Sequence, residues 1–394
     1  MPLASALQRE GALIFLFWTC AGILAIHFIL FPSLLFVLSR GRGKPIRRGP
    51  YTPHVSLIIA AYNEERVITR KLVNTLALDY PPDRLEVIVV SDGSDDRTPE
   101  LVRQFAAHGV KSMHQAERRG KSAALNRAVA GSRGEILVFS DANCLYARDA
   151  LRRLTYNLLD PEVGGVTGRK QIHRDPTRES TRGDRSFWNV ESALKTWESR
   201  LGSIPVADGE IFAIRRSCYE AIPPSIINDD AFLTFRLVRG GYRVVYEPDA
   251  ISEEPASRTL REDFRVKARI VYGGMQTLAQ NANWLLPPRS LFSLQFLVHK
   301  VARHLLPIWL FGLLASSAVL AIADRRPEFV ALLTVQLGLY GLAAIGYALQ
   351  KFTRPPALFY FPLYFSSMSL AALVGLTYYA RAVSPVKTWK KAER

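Results

Sequence analysis

The chain has 394 residues, is 48% hydrophobic and carries a formal net charge of +16 at pH 7. That length allows one or two domains with proper cores, and apolar mass joined to basic charge points to a membrane protein with basic flanks. A nucleic-acid binder ranks low, because many charges crowd beside apolar runs and no nucleic-acid-binding motif is present.

Residues 11–38 are almost wholly apolar, enough for a spanning helix, which needs ~20 such residues. Only Arg9 precedes the run, whereas Arg40, Arg42, Lys44, Arg47 and Arg48 follow it. That is the pattern of a retained anchor with its C-terminal side in the cytosol, not of a cleaved signal peptide. Residues 40–53 read as a basic linker. From residue 52, short apolar runs alternate with helical stretches. Strands are expected over 55–61, 85–91, 111–115 and 135–140, and helices over 64–78, 98–108, 121–130 and 147–159. Such alternation predicts an α/β domain, a mostly parallel sheet flanked by helices on both faces, with right-handed crossovers. Beyond residue 160 the pattern is less regular. A turn and strand are expected over 208–215, a helix over 228–239, a strand over 242–247 and a basic amphipathic helix over 260–278.

Residues 305–323, 329–349 and 357–380 carry no charged residue and predict three more spans. Residues 284–304 mix apolar residues with Arg289, Lys300 and Arg303, the pattern of an amphipathic segment in the membrane interface. One N-terminal and three C-terminal spans put the tail outside the cytosol. The positive-inside rule opposes this, since the tail holds Arg381, Lys387, Lys390, Lys391 and Arg394. The expected plan is an anchor and linker over 1–51, a cytosolic domain over 52–280, and an interfacial helix with spans over 281–394. Three cysteines, Cys20, Cys144 and Cys218, show no CxxC spacing, which argues against a zinc site or a disulfide framework.

In open α/β sheets ligands bind at the carboxyl ends of the strands. Tyr62-Asn63-Glu64 follow the first strand, Asp92-Gly93 the second and Asp141 the fourth, so three acidic clusters are expected on one edge. In Ser140-Asp141-Ala142-Asn143, Asp141 and the residue two positions on point the same way. A hard divalent cation accepts carboxylate, amide and phosphate oxygens there, although a strand-ending turn uses the same residue types. Asp92 reads as a ligand-contacting acid, while Asp95 and Asp96 read as a solvated turn and helix cap. Arg118-Arg119-Gly120-Lys121 opens a helix and reads either as an anion site or as an exposed basic turn. Asn228-Asp229-Asp230 opens another helix, where acids also serve as simple dipole partners.

Taken in order, several motifs resemble the family-2 glycosyltransferases with a GT-A (Rossmann-like) fold. They are Ala60-Ala61-Tyr62-Asn63-Glu64, Ser91-Asp92-Gly93-Ser94, Gly120-Lys121-Ser122-Ala123-Ala124-Leu125-Asn126, Ser140-Asp141-Ala142-Asn143, Asp208-Gly209-Glu210, Asn228-Asp229-Asp230 and residues 241–248 (GYRVVYEP). The second half of the set resembles the branch of cellulose, chitin-oligomer, hyaluronan and poly-N-acetylglucosamine synthases. The resemblance covers residues 52–280. It implies inverting transfer of a hexose or N-acetylhexosamine from a UDP- or GDP-sugar to a polysaccharide, exopolysaccharide or lipid-linked acceptor. It also implies a bacterial-type inner membrane with the catalytic domain in the cytosol.

Residue by residue, the resemblance implies nucleoside contacts at Glu64 and Asp92, and Lys121 near the donor. Asp141 takes the place of the first acid of the DxD motif, contacting nucleotide and a divalent metal (Mg2+ or Mn2+). Asp208 and Gly209 fall on the acceptor side, Asp230 is the general base, and Arg269 holds the donor diphosphate. Three departures stand out. Asn143 occupies the second metal-binding position, and a neutral amide oxygen is a weaker Mg2+ ligand. The TED motif reads Asn228-Asp229-Asp230, which keeps the base. QxxRW reads Val266-Lys267-Ala268-Arg269-Ile270, without the Gln and without the Trp that would stack on an acceptor sugar. These departures leave single-sugar transfer open beside polymerisation. They also motivate the alternative of a membrane nucleotide-sugar-binding or polysaccharide-transport component without chemistry.

Overall fold

The computed structural model describes residues 2–173 and 181–383. Two compact units emerge. Of the described residues, one holds those up to Leu34, Arg258–Ala279 and 297–383; the other holds those within Leu35–Ser257 and Gln280–Phe296.

The second unit is α/β. Its strands are β1 (Val55–Ala61), β2 (Leu85–Asp92), β3 (Val110–Gln115), β4 (Ile136–Asp141), β5 (Leu145–Tyr146), β6 (Val163–Ile172), β7 (Phe212–Arg215) and β8 (Arg243–Glu254). Among the described residues they form one sheet in the order β3-β2-β1-β4-β7-β6-β8-β5. The β3-β2-β1-β4 half is wholly parallel, as the alternating pattern predicts. The sheet becomes mixed beyond it, because β7 runs antiparallel to β4 and β6 while β6 and β8 run parallel. Helices α3 (Ile68–Leu76), α4 (Thr98–Arg103), α5 (Lys121–Ala130), α6 (Ala150–Asn157), α7 (Thr181–Leu201) and α8 (Asp229–Arg239) flank it.

Period-two alternation splits each central strand between two cores. Val55, Leu57 and Ile59 of β1, Val87 and Val89 of β2, and Ile136 and Val138 of β4 meet Ile68, Leu72, Val102, Leu151 and Leu154. Ile58, Ile88, Val90, Leu137 and Phe139 face the other way, onto Leu125 and Ala128 of α5 and Leu233 and Leu237 of α8. A side chain enclosed this way contributes about 1.5–3 kcal/mol through burial. Both faces are covered, so these strands read as continuous apolar runs rather than as alternating ones. The basic linker is strapped to this unit. Asp160 accepts from the Arg47 amide at 3.0 Å, and the Arg243 guanidinium donates to the carbonyls of Lys44 and Pro45.

The other unit is helical. Helix α1 (Pro2–Ala25), a π-turn over Ile26–Leu30 and α2 (Phe31–Gly41) follow one another, with α2 from Leu35 onward counted with the α/β unit. The helical unit also holds the first part of α9 (Leu260–Leu285), α11 (Ala302–His304), α12 (Leu306–Ala323), α13 (Pro327–Leu349) and α14 (Ala357–Ala380), whereas the end of α9 and α10 (Leu291–Gln295) are counted with the α/β unit. Among the described residues four stretches are long and apolar enough to cross a membrane: Glu10–Gly41, Leu306–Ala323, Pro327–Leu349 and Ala357–Ala380. Phe17 and Cys20 of α1 pack on Leu313 and Leu320 of α12 and on Phe329 of α13, whereas Phe311 and Ile322 point outward. The segment expected at the interface begins in the last turn of α9, breaks at Leu286-Pro287 and resumes as a helix from Leu291, with His299 and Lys300 buried. Of the basic tail residues, Arg381 is exposed, and Lys387, Lys390, Lys391 and Arg394 lie outside the described residues.

Candidate active site

Strands β1, β2 and β4 are neighbours whose ends coincide, with Ala61 opposite Ser91 and Ala60 opposite Asp141. The Tyr62–Glu64 turn, Asp92 and Asp141 therefore leave the sheet on one edge. The first turn is locked onto the loop after β2. Asn63 donates through its amide to Ser94 at 3.1 Å and through Nδ2 to Asp95 at 2.6 Å, and Glu64 donates through its amide to Thr98 at 2.7 Å. Asp96 accepts from the Thr98 amide at 2.9 Å. Asp95 and Asp96 thus hold turns. The Glu64 carbonyl accepts from the amides of Val67 and Ile68 and starts α3.

Asp92 is buried, and its carboxylate accepts from the backbone amides of Gly120 at 2.7 Å and Arg119 at 3.1 Å. The start of α5 has thus already met an anion, supplied by the neighbouring strand end. Gly93 sits between them at φ +71°, and a Cβ there would stand 2.6 Å from the Cβ of Arg118. Only glycine fits so close an approach in the left-handed region. The Arg118 guanidinium lies 3.9 Å from the centre of the Tyr62 ring, which ties the same loop to the end of β1.

Lys121, the first residue of α5, reaches Asp141 at 3.0 Å and Asp229 at 3.6 Å. Burial pulls its ammonium down, but Asp141, Asp229 and Asp230 outweigh that and hold it above its ordinary value. Lys121 therefore joins the strand-end acid to the acids that open α8. Asp230 accepts from the adjoining Ala231 amide at 2.7 Å. Burial, then the charge of Asp229, push its carboxyl up to about 6, against the Ala231 amide and Lys121. That is the direction a general base working near neutral pH needs. A Cβ on Gly209 would stand 3.3 Å from the Cβ of Asp230, so the Asp208-Gly209-Glu210 segment lies directly against the candidate base. Asp208 itself is buried and paired with Lys195 at 2.6 Å.

Asn143 donates through Nδ2 to Glu254 at 3.4 Å, which turns its carbonyl oxygen away from that acid. Glu254 and Glu210 share Lys170, which stands 2.7 Å from Glu210. Burial, then the charge of Glu254, push Glu210 up to about 8, with Lys170 opposing. Lys71 of α3 is wholly buried beneath the Asp141 loop; it donates to Ser140 Oγ at 2.8 Å and lies 4.2 Å from the Tyr146 ring centre. Burial lowers its pKa, against Cys144, Asp141 and Glu210. No motif marks Lys71; the signal for it is its place in the stripe Ile68, Lys71, Leu72, Thr75, the spacing of the buried face of a helix.

A divalent cation at Asp141 would find one carboxylate and one amide oxygen. Among the described residues no group of three or more His, Cys, Asp or Glu has the spacing of a metal site. Mg2+ is often bound through one or two carboxylates together with phosphates and waters. The donor set thus fits a cation that arrives with a diphosphate, not one caged by protein alone. Arg269, expected at the donor diphosphate, belongs to α9 in the helical unit.

With this geometry in place, likeness to known proteins becomes informative. Residues 56–222 match the family described as Glycosyl transferase family 2. A probable glycosyltransferase of Bacillus subtilis, YdaM, is 33% identical over 235 residues, covering 56% of this chain and 55% of that protein. The beta-monoglucosyldiacylglycerol synthase of a Synechocystis strain is 30% identical over 243 residues, or 60% and 50% of the two chains. The poly-beta-1,6-N-acetyl-D-glucosamine synthase of Staphylococcus aureus is 25% identical over 232 residues, or 58% and 56%. The chain spans about half the length of these relatives. Among solved structures, the mannosyltransferase PcManGT from Pyrobaculum calidifontis, in complex with GDP-Man and Mn2+, superposes with a TM-score of 0.70 at 28% identity, covering 93% of this chain and 99% of that one.

The α/β unit is a GT-A fold of the glycosyltransferase class. More particularly, this chain carries a family 2 glycosyltransferase domain, accompanied by four helices able to span a membrane.

Proposed function

We propose that this protein is an inverting membrane glycosyltransferase that moves a hexose or N-acetylhexosamine from a UDP- or GDP-sugar to a glycan or lipid-linked acceptor. One observation carries the reading: Asp230, a carboxyl pushed up to about 6, lies against Gly209 and is joined electrostatically through Lys121 to Asp141 at the strand ends. Asp230 takes the proton of the acceptor hydroxyl. The acceptor oxygen then attacks the anomeric carbon from the face opposite the phosphate, the sugar–phosphate bond breaks, and the nucleoside diphosphate leaves. Lys121, held charged between Asp141 and Asp229, supplies fixed positive potential near the leaving diphosphate. A divalent cation held by Asp141 and the Asn143 carbonyl would add positive charge there when bound.

The GDP-Man and Mn2+ of the mannosyltransferase complex support a nucleotide-sugar donor and a divalent ion. The glycolipid-forming and polymer-forming relatives support both acceptor classes. The basic residues after the first span, Arg40 through Arg48, support a cytosolic α/β unit at an inner membrane. The test is Asp230→Asn in the full chain, assayed for transfer from labelled nucleotide sugars. Loss of turnover by about 10²–10⁴-fold with donor binding retained is expected. Wild-type turnover in the variant sinks the assignment.

A further inference from the structure

A sugar acceptor presents apolar C–H faces as well as hydroxyls, so a site that orients it beside Asp230 calls for an aromatic platform as well as a base. In the Val266–Ile270 segment an isoleucine stands where the family pattern has a tryptophan. We propose that Trp188 of α7 is the platform for the acceptor hexopyranose, an inference that rests on the transferase reading above.

Two lysines link the ring to the site. Lys170 lies 4.8 Å from its centre and Lys195 lies 5.8 Å from it. Lys195 is paired with Asp208 and Lys170 with Glu210, so both links end on the Asp208-Gly209-Glu210 segment that lies against Asp230. The Lys170 link also leads through Glu254 to Asn143. Through these lysines the ring is linked both to the segment beside the base and to Asn143 next to the strand-end acid. Phe187 meets it edge-on at 5.3 Å, and Ser192, one turn on, accepts a hydrogen bond from the Tyr246 hydroxyl at 2.8 Å, pinning α7 to β8. Trp188 is only half-buried. It lies beside the ammonium groups of Lys170 and of buried Lys195 and keeps part of its surface open.

The test uses the full chain in a detergent without a sugar head group, with Mn2+ and whichever nucleotide sugar it hydrolyses. Octyl β-D-glucoside, octyl α-D-mannoside and octyl β-N-acetylglucosaminide serve as acceptor probes. Trp188→Ala should raise the KM for the responsive probe by about tenfold while probe-free donor hydrolysis stays within about twofold. Trp188→Phe, which keeps an aromatic face, should stay within about threefold of wild type in both. If the Ala variant fails to fold, Trp188→Leu keeps the bulk without the ring and should show the same rise in KM. An unchanged KM overturns the platform, as does a parallel fall in donor hydrolysis, which marks a structural role. Wild-type protein that hydrolyses donor yet saturates with none of the probes overturns it too. Wild-type protein with neither hydrolysis nor transfer defeats the transferase reading, and the platform with it.

Discussion

Replacing Asp229 by Asn should move the acid limb of the activity profile to lower pH without removing the base. Asp230 rises from an ordinary 3.8 to about 6, first through burial and next through the charge of Asp229. The substitution removes the second cause and leaves the first, so the limb should fall by roughly half a unit to one unit. A base with its pKa near 6 is about one-tenth ionised at pH 5, and one near 5 about half. Relative to its own plateau, the variant's activity at pH 5 should therefore rise by up to about fivefold. The assay is kcat/KM for the donor from about pH 4.5 to 8, since that ratio reports groups of the free enzyme. Lys121 keeps Asp141 as a partner at 3.0 Å, so the plateau should survive. A limb that stays put or moves upward refutes the electrostatic account of Asp230. The same shift fixes a sign for stability. The folded chain holds the Asp230 proton more tightly than the unfolded chain, so this group's contribution declines as pH rises from about 4 through about 6.

Lys71→Met should leave the urea midpoint unchanged or raised, because an apolar chain of similar volume replaces a buried cation. The donor KM should rise by about tenfold as Ser140 and the Asp141 loop lose that charge; a lower midpoint with an unchanged KM would count against this. Asn143→Asp places a second acid beside Asp141 but sets it against buried Glu254. Its metal-free thermal midpoint should drop, and the rise on adding Mn2+, read by differential scanning fluorimetry, should exceed that of wild type. Gly93→Ala should cost about 1–2 kcal/mol from backbone conformation alone, before its contact with Arg118 is counted. Chemical denaturation should register that loss together with weaker donor binding.

How much of this was legible in the sequence depended on what each segment buries. Strands β1, β2 and β4 enclose apolar side chains on both faces, so their runs, and the acids that end them, stood out. Strand β6, VGGVTGRKQI, interrupts its run with three glycines and a polar stretch, and neither period nor β-propensity revealed it. Asp92 was read correctly as a strand-end acid, but its engagement with the amides of Arg119 and Gly120 depends on a loop conformation that no local pattern encodes.

Helix α7 shows why the rest stayed hidden. Its buried face carries Asp184, Glu191, Lys195 and Glu198, the reverse of the apolar stripe by which a helix is recognised. Charged groups placed there must be paired, or the unpaired charge costs several kcal/mol, and the visible pair, Lys195 with Asp208, joins α7 to the segment beside the base. Lys170 and Glu254 repeat the arrangement at the ends of β6 and β8. Hydrophobic patterning finds what holds a fold together. In this domain the groups that shape the site are buried charges held by one another, so they emerge only when distant parts of the chain are brought together.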